Sequence, residues 1–311
     1  MPALIDWHSH HTPPELAEEF GKLTGKTPYI DKYDGLDFAP RIRELDKAKI
    51  ELQLICQGAG VFADRLPAGQ AMEIVHKSND LIAERIAPHR DRLLGAIAVT
   101  MKDIAGSVKE IERMAAKGFR AVLLYPKADG HFALDMPEAE PLFAKIEQLG
   151  LPIFLHGATS SNDPTLRRLE DEGAGVVYSV IADASVCESA VRLIAAGLFD
   201  RHPNLKIVIR SGGGGLPLLL HRLFWKHKGP DGEQRYSDIL LTHFWVDTAG
   251  VDARTLRFLM DAVGEEHVVF GSDYCGGLGP IEKALPVIED QPDAARIKAL
   301  TERTSRNLLR I

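Results

Sequence analysis

The stretch Ile5-Asp6-Trp7-His8-Ser9-His10 constrains this chain more than any other. Side chains two apart on an extended strand point to the same face, so His8 and His10 present two imidazoles side by side. Two later segments carry a related signal. Leu151-Pro-Ile-Phe-Leu-His156 and Val268-Val-Phe-Gly-Ser-Asp273 are apolar runs that each end in a residue able to bind a metal. Parallel α/β barrels place their chemistry where buried strands run out at their C-terminal ends. His8, His10, His156 and Asp273 are therefore expected to converge from three strands. Neutral imidazoles and one carboxylate suit a single divalent ion, zinc or a neighbouring first-row ion, with a position left open.

The rest of the chain supplies the strands and helices that such a barrel needs. Strands are expected over 50–56, 93–99, 119–125, 205–210, 240–247 and 268–271, besides the two segments that begin with Ile5 and Leu151. Between them lie helical stretches over 41–49, 70–86, 104–116, 137–149, 184–196 and 253–262. The second of these carries Met72, Val75, Leu81, Ile82 and Ile86 at three- and four-residue spacing, the period of an amphipathic helix. Strand and helix alternate eight times, which predicts an α/β fold, a (β/α)8 TIM barrel of the metal-dependent hydrolase type. The 311 residues form one domain on this reading, since such a barrel uses about 250 residues and the surplus fits insertions. The irregular stretches 21–40 and 158–180 are the expected mouth loops, and Lys26, Tyr29, Lys32 and Tyr33 in the first are candidate substrate contacts.

Composition removes several alternatives. A net charge of −7 and a pI near 6.0 argue against a nucleic-acid surface. Cys56, Cys187 and Cys275 are odd in number and far apart, as reduced thiols of a cytoplasmic protein are. The first residues lack a basic, then apolar, export signal, and no run approaches about 18 apolar residues, so neither a leader nor a membrane span is expected.

Ser211 and the four glycines after it lie between a strand and a helix. They match no dinucleotide or P-loop pattern. Their expected role is close backbone approach, with capture of a substrate carboxylate by the amides as the other possibility. Arg210 is the expected partner of that carboxylate, because a planar guanidinium matches it bidentately. Strand alternation leaves open whether Arg210 faces the mouth or the helices.

Six segments in one order then establish a resemblance. The HxH pair, Gly118-Phe-Arg-Ala-Val, Leu151-Pro-Ile-Phe-Leu-His156, the run from Gly197 to Ile209, Asp247-Thr-Ala-Gly250 and Val269-Phe-Gly-Ser-Asp-Tyr274 look like the amidohydrolase-related family of aminocarboxymuconate-semialdehyde decarboxylase. That resemblance implies a (β/α)8 barrel holding zinc or manganese through His8, His10, His156 and Asp273. It also implies a small carboxylate as substrate, and a homodimer. The family includes non-oxidative decarboxylases of unsaturated or aromatic acids beside lactonases, hydratases and other hydrolases. One departure stands out. Where the family has a catalytic histidine after the sixth strand, this chain has Ser211, and a serine hydroxyl is no base near neutral pH unless another group activates it. Decarboxylation, with Asp273 as proton donor, asks less of that histidine than hydrolysis does. Hydrolysis of a lactone, amide or C–C bond is the alternative, and a barrel that binds a carboxylate or metal without turnover the lesser one. His11 and His243 are candidates to replace the missing imidazole, His202 a scaffold residue, and Cys275 a buried thiol or an extra ligand.

Overall fold

A computed structural model describes residues 3–30, 37–58, 60–128, 130–157, 168–169, 175, 177–226 and 232–311 of the chain. Eight strands pair in parallel and in chain order: β1 (Leu4–His11), β2 (Ile50–Gln57), β3 (Leu93–Ala98), β4 (Ala121–Leu124), β5 (Ile153–Leu155), β6 (Ile207–Ile209), β7 (Phe244–Asp247) and β8 (Val268–Val269). The ring closes where the chain beyond β8 runs beside β1. There the Trp7 amide donates to the Phe270 carbonyl at 2.9 Å, the Asp273 amide to that of His8 at 2.7 Å, and the His10 amide to that of Tyr274 at 2.8 Å. Helices flank the ring: α1 (Pro14–Thr24), α2 (Ala39–Ala48), α3 (Ala68–Ile86), α4 (Ile104–Ala116), α5 (Glu140–Leu149), α6 (Ala182–Ala195), α7 (Leu216–Lys226), α8 (Gly232–His243), α9 (Ala253–Val263) and α10 (Ala294–Leu309). None of the described helices is long and apolar enough to cross a membrane.

Alternation along the strands sorts the core into two layers. Ile5, Trp7, Leu54, Leu123, Phe154, Val208 and Val269 pack together inside the barrel. Ile55, Ile97, Val122, Leu155, Ile209 and Val246 face the helices. β1 departs from this simple alternation. Its register against β2 slips between Asp6 and Ser9, where three steps along β1 match two along β2. This bulge reverses the parity, so Ile5 and Trp7 point inward below it and His8 and His10 point inward above it. The HxH pair reaches the barrel mouth because of one extra residue.

Several boundaries differ from expectation. The seventh strand begins at Phe244 and not at 240, because Leu240 to His243 form the last turn of α8; an apolar run of that length reads equally as strand or buried helix. The 21–40 loop is shorter than its sequence suggests, since Gly21 to Thr24 end α1 and Ala39 opens α2. Lys32 and Tyr33, like most of 158–180, lie outside the described residues.

Arg41 of α2 locks β1 to the chain after β8. Although only 1% exposed, it donates to the His10 carbonyl at 2.6 Å, to Gln53 Oε1 at 2.9 Å and to Cys275 Sγ at 3.4 Å. Gln53 passes the connection on, donating to Asp6 Oδ2 at 2.7 Å, and Asp6 also accepts from the Ser272 amide and hydroxyl at 2.9 and 2.6 Å. A buried cation and a buried carboxylate are thus joined through an amide, each supplied with partners. Arg41→Met, which keeps the volume and removes the charge, should lower stability by about 3 kcal/mol, read as a drop in the urea midpoint at unchanged slope.

Candidate metal centre

The strand ends bring His8, His10, His156 and Asp273 to one point at the barrel mouth. His8 Nε2 lies 3.1 Å from His10 Nε2 and 3.2 Å from His156 Nε2. Asp273 Oδ1 is 3.2 Å from both His8 Nε2 and His10 Nε2. A tetrahedral ion with metal–nitrogen bonds of about 2.0–2.1 Å spaces its ligand atoms about 3.3 Å apart, which these four distances match, and the ligand atoms of the three histidines all lie within 4.8 Å of one another. All four residues are at most 8% exposed.

The second nitrogen of each ring decides what the first can do. His8 Nδ1 faces Asp247 Oδ2 at 2.7 Å, His10 Nδ1 the Gln57 carbonyl at 3.1 Å, and His156 Nδ1 the Gly157 carbonyl at 2.9 Å. Those oxygens accept, so each Nδ1 carries its proton and donates. The three Nε2 atoms therefore turn lone pairs toward one another and toward a carboxylate. Such a centre calls for positive charge, which a divalent ion supplies.

The surrounding charges say the same. Burial disfavours a charged imidazole at His8, yet Asp247 and Asp273 outweigh it and raise its pKa to about 9, so near neutral pH a proton competes with an ion for the His8 Nε2 lone pair. Burial also works against an ionised Asp273, but His8 and His10 hold its carboxyl well below the usual carboxylate range. His156 is pushed well below the ordinary imidazole range by burial and then by the charge of Arg210, so it is neutral.

Arg210 faces the mouth. Leu124, Leu155, Ile209 and Val246 pair laterally across β4 to β7, so the next residues, Tyr125, His156, Arg210 and Asp247, form one inward row. Arg210 Nε donates to Ser211 Oγ at 3.0 Å, and Nη2 lies 3.2 Å from Asp183 Oδ1. Ser211 and Gly212 to Gly215 all have positive φ, from 52° to 90°. An L side chain costs roughly 1–2 kcal/mol per residue in such a left-handed run, which accounts for the glycines. A Cβ on Gly214 would lie 2.2 Å from the Asp183 carbonyl oxygen. The Ser211 amide donates to Asp247 Oδ1 at 2.7 Å, so this first amide of the run binds the protein's own carboxylate.

Other expected residues lie elsewhere. His243 stands at the start of β7, away from the mouth; it donates to the Leu205 carbonyl at 2.8 Å and stacks on Phe199. His11 points out of the barrel, edge-on to Phe38. Neither replaces an imidazole at the centre. His202 bridges Glu140 and Glu147 at 2.8 and 2.9 Å, so it satisfies carboxylates. Cys275 Sγ meets Arg41, and Tyr29 is 65% exposed.

Asp247 is the residue that sequence reasoning left without a role. It ends the apolar run Phe244-Trp-Val as His156 and Asp273 end theirs, so the same signal was available. Asp247 orients His8 and pins the turn that carries Arg210, and second partners of this kind tune metal affinity about 10- to 100-fold. Asp247→Asn should weaken metal retention by about that factor, measured by competition with a chromophoric chelator.

Comparison with known proteins agrees with this architecture. The profile of the amidohydrolase family matches residues 5–311. A gamma-resorcylate decarboxylase of Rhodococcus jostii (strain RHA1) is 29% identical over 251 residues, covering 75% of this chain and 76% of the relative. A 2-amino-3-carboxymuconate-6-semialdehyde decarboxylase of Dictyostelium discoideum is 25% identical over 335 residues, covering 98% and 89%. The crystal structure of a dihydroxybenzoic acid decarboxylase from Polaromonas sp. JS666, with bound manganese and the inhibitor 2-nitroresorcinol, superposes with a TM-score of 0.82 at 23% identity, covering 100% of this chain and 97% of that one. With a match that runs from Ile5 to the last residue, the chain belongs to the amidohydrolase family.

Proposed function

We propose that the chain is a divalent-metal-dependent enzyme, one barrel domain over residues 1–311, that removes CO2 from a small aromatic or unsaturated carboxylic acid without oxidation. The observation that carries this reading is the end of β6. There Ser211 Oγ accepts from Arg210 Nε at 3.0 Å, and a hydroxyl tied to a guanidinium is no base. The mouth thus offers a cation for an acid, with no described imidazole beyond the three of the centre itself. The gamma-resorcylate and aminocarboxymuconate-semialdehyde decarboxylases support the reaction class.

His8, His10, His156 and Asp273 hold the ion in this reading. Their donor set favours zinc, and the manganese in the Polaromonas structure makes that metal the alternative. The bound ion supplies a Lewis acid that polarises a substrate oxygen. Arg210 holds the carboxylate and Ser211 holds Arg210. As CO2 leaves, the electron pair of the broken C–C bond stays on the substrate carbon, and Asp273 delivers the proton that replaces the carboxyl group. Asp273 rests ionised, so it must gain that proton as an anionic substrate enters beside it, a like charge raising its affinity for protons.

That resting ionised state also favours a second reading, hydrolysis with Asp273 as base. The two part on the product. Zinc- or manganese-loaded protein should release CO2 from at least one of gamma-resorcylate, 2,3-dihydroxybenzoate and salicylate, lose that activity to a chelator and regain it with either ion. Water-dependent cleavage of lactones without CO2 from any acid rejects decarboxylation. Arg210→Met should raise KM by about ten- to a hundredfold, as loss of one hydrogen bond to a charged group does, and an unchanged KM removes Arg210 from the site.

A further inference from the structure

Tyr125 is the one member of the inward row that neither the metal centre nor its supports account for. It ends the apolar run of β4, next to His156, whose ring it meets edge-on at 5.8 Å; its other face meets Phe62 at 5.2 Å. The residue is 5% exposed, and its buried hydroxyl has no hydrogen-bond partner among the described residues. A phenol without a partner costs about 1–3 kcal/mol, and folded proteins leave few such groups unexplained. A phenol keeps its proton near neutral pH, so the hydroxyl is able to donate.

On the other side of His156, Arg210 is tethered through Nε and Nη2 while Nη1 has no hydrogen bond to any described residue. Strands two apart stand about 9–10 Å from each other, a gap that two long side chains leaning over one imidazole can close around a small group. One side offers a neutral donor and the other a cationic donor. A group that accepts from both is an anion with two oxygens, and a carboxylate has about four lone-pair sites to share.

We propose that Tyr125 is a specificity-determining residue whose hydroxyl, with Arg210 Nη1, brackets the substrate carboxylate above His156. The proposal rests on the decarboxylase reading for its substrate class. In the ligand-free protein the unsatisfied phenol is a standing cost, and the substrate carboxylate relieves it.

Tyr125→Phe tests this because it removes one oxygen and leaves the ring contacts in place. Metal-loaded wild type and variant are compared by calorimetric titration with gamma-resorcylate, salicylate and benzoate, and with resorcinol, which has the ring oxygens of the first but no carboxylate. The variant should bind the acids about 5- to 100-fold more weakly, bind resorcinol equally well, keep its metal content, and melt at the same or a higher temperature without ligand. Equal acid binding by both proteins overturns the proposal. So does an equal loss for resorcinol, a lower melting temperature in the ligand-free variant, or failure of wild type to bind any of the acids. Wild type that binds the acids without releasing CO2 removes the decarboxylase reading, and the same titration then still decides the role of Tyr125.

Discussion

Three lone pairs and a carboxylate pointed at one spot repel each other unless something positive lies between them, and the mouth of this barrel is arranged around that fact. His10 and His156 give their Nδ1 protons to backbone carbonyls, which have nothing to return. His8 gives its proton to Asp247. Rotating any ring would break a hydrogen bond of a residue at most 2% exposed, so the orientation that points Nε2 inward is the one in which the buried groups are satisfied. The same carboxylate of Asp247 accepts from the Ser211 amide and from the Ala249 amide. The centre and the turn bearing Arg210 are in this way one hydrogen-bonded body.

Much of that body could be read from the sequence, and for one reason. A strand buried on both faces is apolar until it leaves the barrel, so the first polar residue marks the rim. That rule located His156, Asp273 and the strand under Arg210, and it brought His8 and His10 to the same rim. It applies equally to Asp247 and Tyr125, which follow the apolar residues of β7 and β4. The facing of Arg210 could not be decided from alternation without knowing where the strand begins; the lateral pairing of Ile209 with Leu155 and Val246 decides it.

Other features leave no trace that a single chain could reveal. Arg41 lies in a helix dense with charge and reads as surface, yet it is buried among β1, β2 and the chain after β8 through backbone and side-chain partners far away in sequence. Leu240 and Leu241 read as strand because apolar side chains ahead of Phe244-Trp-Val suit either structure. Gly276 is similar: a Cβ there would lie 1.9 Å from Asp273 Oδ1 and 2.5 Å from His10 Cδ2. Only the folded site shows that the chain must pass so close to two of its own ligands.

The bulge in β1 has a consequence for how this barrel can change. Because Ile5 and Trp7 pack the interior from below the slip and the histidine pair projects from above it, the two halves of the strand answer to different demands. Were the slip to close with no residue removed, so that β1 kept an even pleat from Ile5 onward, both imidazoles would swing out of the barrel while the packing beneath stayed intact. One step of register in β1 therefore separates a rim that gathers a cation from a rim that has none to gather.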